Sequence, residues 1–356
     1  ELAGGTLALA PLRWPAAPGD RIGLEVSDLV GTAADRTVRG LGGRLEIVVG
    51  GARNGASSLR IRDGRLRALE LPGGTLAGAT LDAEGRVPGR AAEALTDGRM
   101  PDALVLDRVA FAVASATDGL RRIEEITGDG RAQIDADGPR ATLAIRARRL
   151  SGAIPARDLA CGLELAGSSL ALEDCGLALL GGRVRVAAAT LDLARRSGEL
   201  PVALRGLDLG AVLLLMQDEA LAGDGTLDGL LPLRLEAGVP GVTDGFVEAR
   251  APGGRLRYAA DPDLAARLDQ PGLALALRAL ADFRYETLRA EVDYAADGTL
   301  ALAVRLTGSN PEVEGGRPID FNLTVTQNLL RLLQSLRLSQ NIGAALERRL
   351  RERNQR

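Results

Sequence analysis

The sequence predicts an all-β fold with a few helices, built on a long and mainly antiparallel sheet. Three observations predict it. Apolar residues alternate with period two over much of the chain, glycine dipeptides punctuate the alternation, and helical periodicity is confined to three short stretches. With 356 residues, 46% apolar and 26% charged, the chain has the balance of an ordered protein with a core and room for one large domain or two.

The strand signal can be followed along the chain. Between Leu159 and Leu172, leucines stand at 159, 163, 165, 170 and 172, with Glu164 and Glu173 on the other side. Val184 and Val186 alternate with Arg183 and Arg185. Leu231, Leu233 and Leu235 share a face opposed by Pro232, Arg234 and Glu236. Leu288, Ala290, Val292 and Tyr294 alternate with Arg289, Glu291 and Asp293; Asp297-Gly298 then leads into Leu300, Leu302, Val304 and Leu306, the pattern of a hairpin with one apolar face. Asp-Gly begins at 63, 97, 118, 129, 137, 224, 228, 244 and 297, and Gly-Gly at 4, 42, 50, 73, 181, 253 and 315. These dipeptides read as hairpin turns because they supply positive φ.

The helical stretches are Leu209 to Met216, Asp263 to Phe283 (interrupted by Pro271-Gly272), and Asn328 to Arg353. In the last, Asn328 reads as the cap, and arginines crowd the final turn. Asn310-Pro311 and Arg317-Pro318 read as strand ends around a glycine-rich loop. A change of composition near Leu207 divides a repetitive β segment, 1–206, from a C-terminal region, 207–356, with helices near 209–216, 263–283 and 328–353.

Composition removes many kinds of chemistry. Histidine is absent and all 44 basic residues are arginine. Ser-His and Cys-His nucleophiles, histidine zinc sites, Schiff bases and the P-loop lysine are therefore excluded. A net charge of −3 and 2% aromatic residues leave no footprint for nucleic acid. The 47 acidic residues leave carboxylate chemistry open, as in a β-helix carbohydrate-active enzyme. Scarce asparagine, the lack of stacked polar ladders and few aromatics argue against that rival, so the expectation is no enzyme, no cofactor and no metal. Gly223, Gly225 and Gly229 do not have dinucleotide-loop spacing, and Asp135 and Asp137 lack the glutamate of a calcium loop.

Cys161 and Cys175, fourteen apart, would face each other if a hairpin turns near Ser168; a disulfide and a pair of small buried hydrophobes both fit. Apolar runs such as Ala211 to Met216 fall far short of the ~20 residues of a spanning helix. The chain opens at Glu1 rather than Met and is expected to be part of a longer polypeptide.

A sheet apolar on one side must hide that side, as a sandwich, a barrel or a trough. At roughly a dozen residues per strand and turn, the chain holds on the order of 20 strands, which at ~4.8 Å spacing would extend ~100 Å and must curl or split. An aliphatic lining suits acyl chains, because dispersion and water exclusion are non-directional. A closed core of the same residues fits the periodicity equally.

One set of segments adds a resemblance. Gly223-Asp-Gly225, Leu227-Asp-Gly-Leu-Leu-Pro-Leu233, Asp244-Gly245 and Pro252-Gly-Gly-Arg-Leu-Arg-Tyr258 are followed by Leu280-Ala-Asp-Phe-Arg-Tyr285, Gly308-Ser-Asn-Pro311, Arg317-Pro318 and Leu329-Leu-Arg-Leu-Leu-Gln-Ser-Leu336. In this order the region from 223 onward resembles the AsmA-like intermembrane phospholipid-transfer proteins of Gram-negative bacteria, YdbH branch, formerly labelled dicarboxylate transport. The first 200 residues resemble it in style alone. The resemblance implies a β-taco, a long curled sheet with an apolar groove. The C-terminal helices are expected to cap the sheet; for the amphipathic tail Asn328 to Arg353, lying on a membrane surface is the alternative. It further implies a periplasmic conduit for phospholipid between inner and outer membranes, an N-terminal inner-membrane anchor not included in this chain, and a small outer-membrane lipoprotein pairing at a sheet edge. The expected groove lining is Leu163, Leu165, Leu170, Leu172, Val184, Val186, Leu231, Leu233, Leu235, Leu288, Val292, Leu300, Leu302 and Val304. The alternative is a closed β scaffold that aids envelope protein assembly, the role suggested by the related TamB branch.

Overall fold

The computed structural model describes residues 2–9, 19–33, 36–49, 56–88, 103–119, 121–152, 154–216, 220–259 and 271–328. Among the described residues, nineteen strands form one antiparallel sheet that is not closed into a barrel, accompanied by two short helices. The chain divides into two compact units: unit 1 is Glu1–Leu177 with Ala187–Ala194, and unit 2 is Ala178–Val186 with Arg195–Arg356.

Unit 1 is a meander. Its strands are β1 (Leu2–Leu9), β2 (Arg21–Ala33), β3 (Arg36–Val48), β4 (Ser57–Leu71), β5 (Gly74–Val87), β6 (Leu104–Thr117), β7 (Arg122–Asp135), β8 (Gly138–Ser151) and β9 (Ala156–Ala166). Each of these pairs antiparallel with the next. β10 (Ser169–Leu179), β11 (Gly182–Asp192) and β12 (Ser197–Asp208) follow in the sheet. Cys161 and Cys175 are joined in a disulfide, which resolves the open choice between a bridge and two small hydrophobes.

Most of the hairpins turn on glycine with positive φ, for example Gly73, Gly138 and Gly167. Four Asp-Gly dipeptides correct the turn reading, however: Asp63 lies inside β4, Asp129 inside β7, Asp228 inside β14 (Thr226–Glu236) and Asp244 inside β15 (Val239–Ala249). Asp63 and Asp244 have φ of 52° and 57°, and each marks a bulge where the register slips by one residue. Such a bulge bends its strand and raises the local twist, which curls the sheet.

Unit 2 folds around a different centre. A branched ladder runs β12–β14–β15, then to β17 (Phe283–Tyr294), β18 (Thr299–Ser309) and β19 (Ile319–Asn328). The short strands β13 (Leu221–Asp224) and β16 (Gly254–Tyr258) pair with each other, and β16 also pairs with the start of β17. The break between β13 and β14 falls at Gly225, where φ is 136° and a Cβ would sit on the Tyr285 hydroxyl. That hydroxyl donates to the Asp224 carbonyl at 2.7 Å. Burial pushes the Tyr285 phenol up to about 12, with the Asp224 charge adding to the shift. The motif Gly223-Asp-Gly225 is thus a seat for a buried tyrosine.

Two helices cover this end. In α1 (Leu209–Leu214), Asp208 caps the start by accepting from the Ala211 N–H, and Leu209 and Leu213, one turn apart, are buried together. α2 (Pro271–Leu280) lies within the stretch read as helical over 263–283; residues 263–270 lie outside the described residues, and Phe283 opens β17. Asn310 is 2% exposed, and its side-chain amide donates to the Arg278 and Ala279 carbonyls at 3.1 Å each, tying down the end of α2. Asn310 is therefore more than a strand stop. Asn328, read as a helix cap, is the last residue of β19, and the stretch 329–353 lies outside the described residues.

Candidate functional site

The registers show how a one-faced surface arises from the alternating sequence. Residues directly opposite one another in an antiparallel ladder point to the same face. One row crosses unit 1 through Leu24, Leu45 and Ile61 on β2, β3 and β4. It continues through Ala83 and Val109 on β5 and β6, and ends through Gly130, Leu143 and Leu163 on β7, β8 and β9. A parallel row runs through Leu41, Leu66, Ala79 and Val113.

The reverse face carries charge. There Glu46, Arg60 and Glu84 stand in one row, with Arg60 paired to Glu84 at 3.0 Å and Arg21 to Glu46 at 3.3 Å. Elsewhere in unit 1, Glu124 accepts from Arg149 and Arg122, which hold its carboxyl below the usual range. One face is aliphatic and the other is a lattice of exposed ion pairs.

The aliphatic face of unit 1 is hollow. Residues of β2 through β6, from Leu24 and Val26 to Phe111 and Val113, line a single groove of about 500 Å³ with Ile61 and Leu66 between them. In a flat sheet β2 and β6 would stand about 19 Å apart, so their sharing one groove shows that the sheet is concave here. Leu41 and Leu81 in its wall are 37% and 38% exposed. Among the described residues, the face is aliphatic and part-exposed.

In unit 2 the corresponding face is filled. Leu204, Leu207, Leu209, Leu213, Leu227, Leu256, Ala279, Phe283, Tyr285, Leu288, Leu306 and Phe321 form one buried cluster, with Phe283 and Phe321 edge to face at 5.1 Å. On the outer side Asp228 accepts from Arg250 at 2.6 and 2.8 Å and from the Gly206 N–H at 2.8 Å. The Arg250 guanidinium holds the Asp228 carboxyl below the usual carboxylate range. Arg255 likewise pairs with Asp282 and lowers it.

The residues expected to line a groove fall into separate sets. Leu163 and Leu165 stand opposite Leu143 and Ala141 on the apolar face of unit 1; Leu170 and Leu172 are half-buried on β10. Val184 and Val186 belong to unit 2, where Val184 packs against the buried cluster. Leu231, Leu233 and Leu235 share the inner face of β14, and Leu233 stands opposite Val242. Val292 pairs with Leu302, Leu300 with Tyr294 and Val304 with Ala290, all on that face. Leu288 lies inside the cluster, and Leu231 and Val304 pack on it.

The hollow itself was not among the expected positions. Its signal is broken by the bulge at Asp63. Ile61 and Leu66 have opposite parity, so a strict period-two reading separates them, yet they share a face through Ala83 and Ala79 on β5.

No curated protein and no solved structure matches the chain. Residues 52–351 match the family described as YdbH-like, Intermembrane phospholipid transport protein YdbH. That span covers most of both units, and with it the open, one-faced antiparallel sheet gains a family: the chain belongs to the YdbH-like intermembrane phospholipid transport proteins.

Proposed function

We propose that this chain is a non-enzymatic, bridge-like conduit in the periplasm of a Gram-negative bacterium, carrying phospholipid between inner and outer membranes with the acyl chains against the aliphatic face. The observation that carries this reading is the hollow of unit 1, part-exposed among the described residues, aliphatic inside and ion-paired outside. Acyl chains need only apolar, water-excluding contact, which lets them slide, while headgroups stay at the wet rim. The Cys161–Cys175 disulfide supports an oxidising compartment such as the periplasm. An inner-membrane anchor outside this chain belongs to the same reading. So does a small outer-membrane lipoprotein pairing with an edge strand such as β19, which among the described residues pairs with β18.

Photo-crosslinking in cells tests the proposal, with a photoreactive residue at Leu81 in one variant and at Arg60 in another. Lipid adducts at 81 and none at 60 are expected; crosslinks at 81 solely within the chain would overturn it. The closed cluster of unit 2 favours a scaffold role for that unit. Substituting Leu302→Asp there separates the two: a folded variant that still passes lipid would remove Leu302 from the path.

A further inference from the structure

Three bulges, in β4, β12 and β15, share one construction. On β4, Ile61 pairs with Ala83 and Gly64 with Leu81, so Arg62 and Asp63 together oppose the single residue Asp82. On β12, Leu204 pairs with Gly229 and Leu207 with Leu227, so Arg205 and Gly206 oppose Asp228. On β15, Val242 pairs with Tyr294 and Gly245 with Val292, so Thr243 and Asp244 oppose Asp293. In each case the second bulged residue is left-handed, with φ of 52° at Asp63, 67° at Gly206 and 57° at Asp244. In each case its N–H donates to the opposing aspartate, at 3.1 Å to Asp82, 2.8 Å to Asp228 and 3.1 Å to Asp293.

A bulge leaves its extra N–H without a ladder partner, and a left-handed aspartate is disfavoured backbone. An acceptor placed opposite answers both needs.

The Asp82 clasp lies behind the wall of the hollow, since Ile61, Gly64 and Leu81 line it. The extra residue changes the phase of β4, so that Ile61 before the bulge and Leu66 after it face the same side. Without the bulge, strict alternation would turn Leu66 to the opposite face, away from Ile61.

We infer that Asp82 is a positioning residue for the lipid-facing surface: by accepting the Asp63 N–H it holds the bulge that brings Leu66 into the hollow. This inference rests on the proposed lipid path for its functional consequence, and on the register alone for its structural one.

The test combines two readouts on wild type, Asp82→Ala and Asp82→Asn. The first is amide hydrogen exchange of the segment around Asp63. Exchange should be about fivefold faster in Asp82→Ala and unchanged in Asp82→Asn, whose amide oxygen still accepts. The second is lipid photo-crosslinking from position 61 and position 66. Capture at 66 should fall severalfold relative to 61 in Asp82→Ala and hold in Asp82→Asn. Unchanged exchange in the alanine variant overturns the clasp. So does an asparagine variant that loses capture at 66, because charge and not hydrogen bonding would then be responsible. If wild type captures no lipid at either position while exchange behaves as stated, the clasp stands and the lipid path is what fails.

Discussion

Unit 1 and unit 2 are built from the same alternating strands, yet their interiors differ. Among the described residues, Ile47, Ala83, Val87, Val109 and Ala147 are the buried apolar side chains of unit 1, five against fifteen in unit 2. Half of the twelve residues that fill unit 2 are helical or aromatic: Leu209 and Leu213 on α1, Ala279 on α2, and the rings of Phe283, Tyr285 and Phe321 on strands. Unit 1 brings one phenylalanine, Phe111, to its hollow and no described helix. The lesson is that alternation makes a face apolar, while bulky residues and helices decide whether it is sealed. Unit 1 relies instead on ladder hydrogen bonds and the Cys161–Cys175 bridge.

Substitutions put this contrast to the test. The largest stability loss is expected from Phe283→Ala, about 3–5 kcal/mol, because its ring is fully buried against Phe321. Leu81→Ala in the open hollow should lose under about 1.5 kcal/mol, since the side chain is already part-exposed. Denaturant titrations of both variants check the pair, and equal losses would erase the distinction. Next comes the bridge: the double variant Cys161→Ala, Cys175→Ala should lower the stability of unit 1 by about 2–3 kcal/mol, the scale for a loop of this length, with unit 2 unchanged. Proteolysis mapped to each unit would read it.

Asn310→Ala should cost about 1–3 kcal/mol, leaving two carbonyls at the end of α2 unpartnered, and should speed exchange in α2 before it does so in β18. A smaller effect is expected at Asp228. Its carboxyl is held low in the folded state, so its contribution is present above the unfolded value of about 3.9 and fades as pH falls through the lower folded value. Asp228→Asn should lose about 1 kcal/mol at neutral pH and flatten the acid limb of unit 2's stability curve below the ordinary carboxylate range, measured by urea titration at stepped pH. Smallest of all, Arg60→Ala should change stability by less than about 0.5 kcal/mol, because the Arg60–Glu84 pair is exposed.

Much of the sheet was legible from residues alone. The face shared by Leu231, Leu233, Leu288, Val292, Leu300 and Leu302 was readable because no bulge interrupts those runs. The hairpin at Asp297-Gly298 follows from its turn dipeptide and two flanking runs. The hollow was not legible, because Asp63-Gly64 carries the same signature as a turn but bulges inside β4, and a one-residue slip hides the match of Ile61 with Leu66. Asn310 was readable as a strand end; its hold on α2 was not, because the carbonyls it meets lie 31 and 32 residues earlier in the chain.

Residue pattern was enough for an antiparallel, one-faced, aliphatic sheet, since period two and glycine turns act within a few residues of one another, and it was enough to reveal the family. Only the tertiary structure decided, among the described residues, where the face is sealed and where it stays part-exposed. Those outcomes depend on groups distant in sequence: Phe283 finding Phe321, α2 held by Asn310, Asp82 holding the bulge at Asp63. Local alternation sets the side to which a residue points, and only the packed chain sets what covers it.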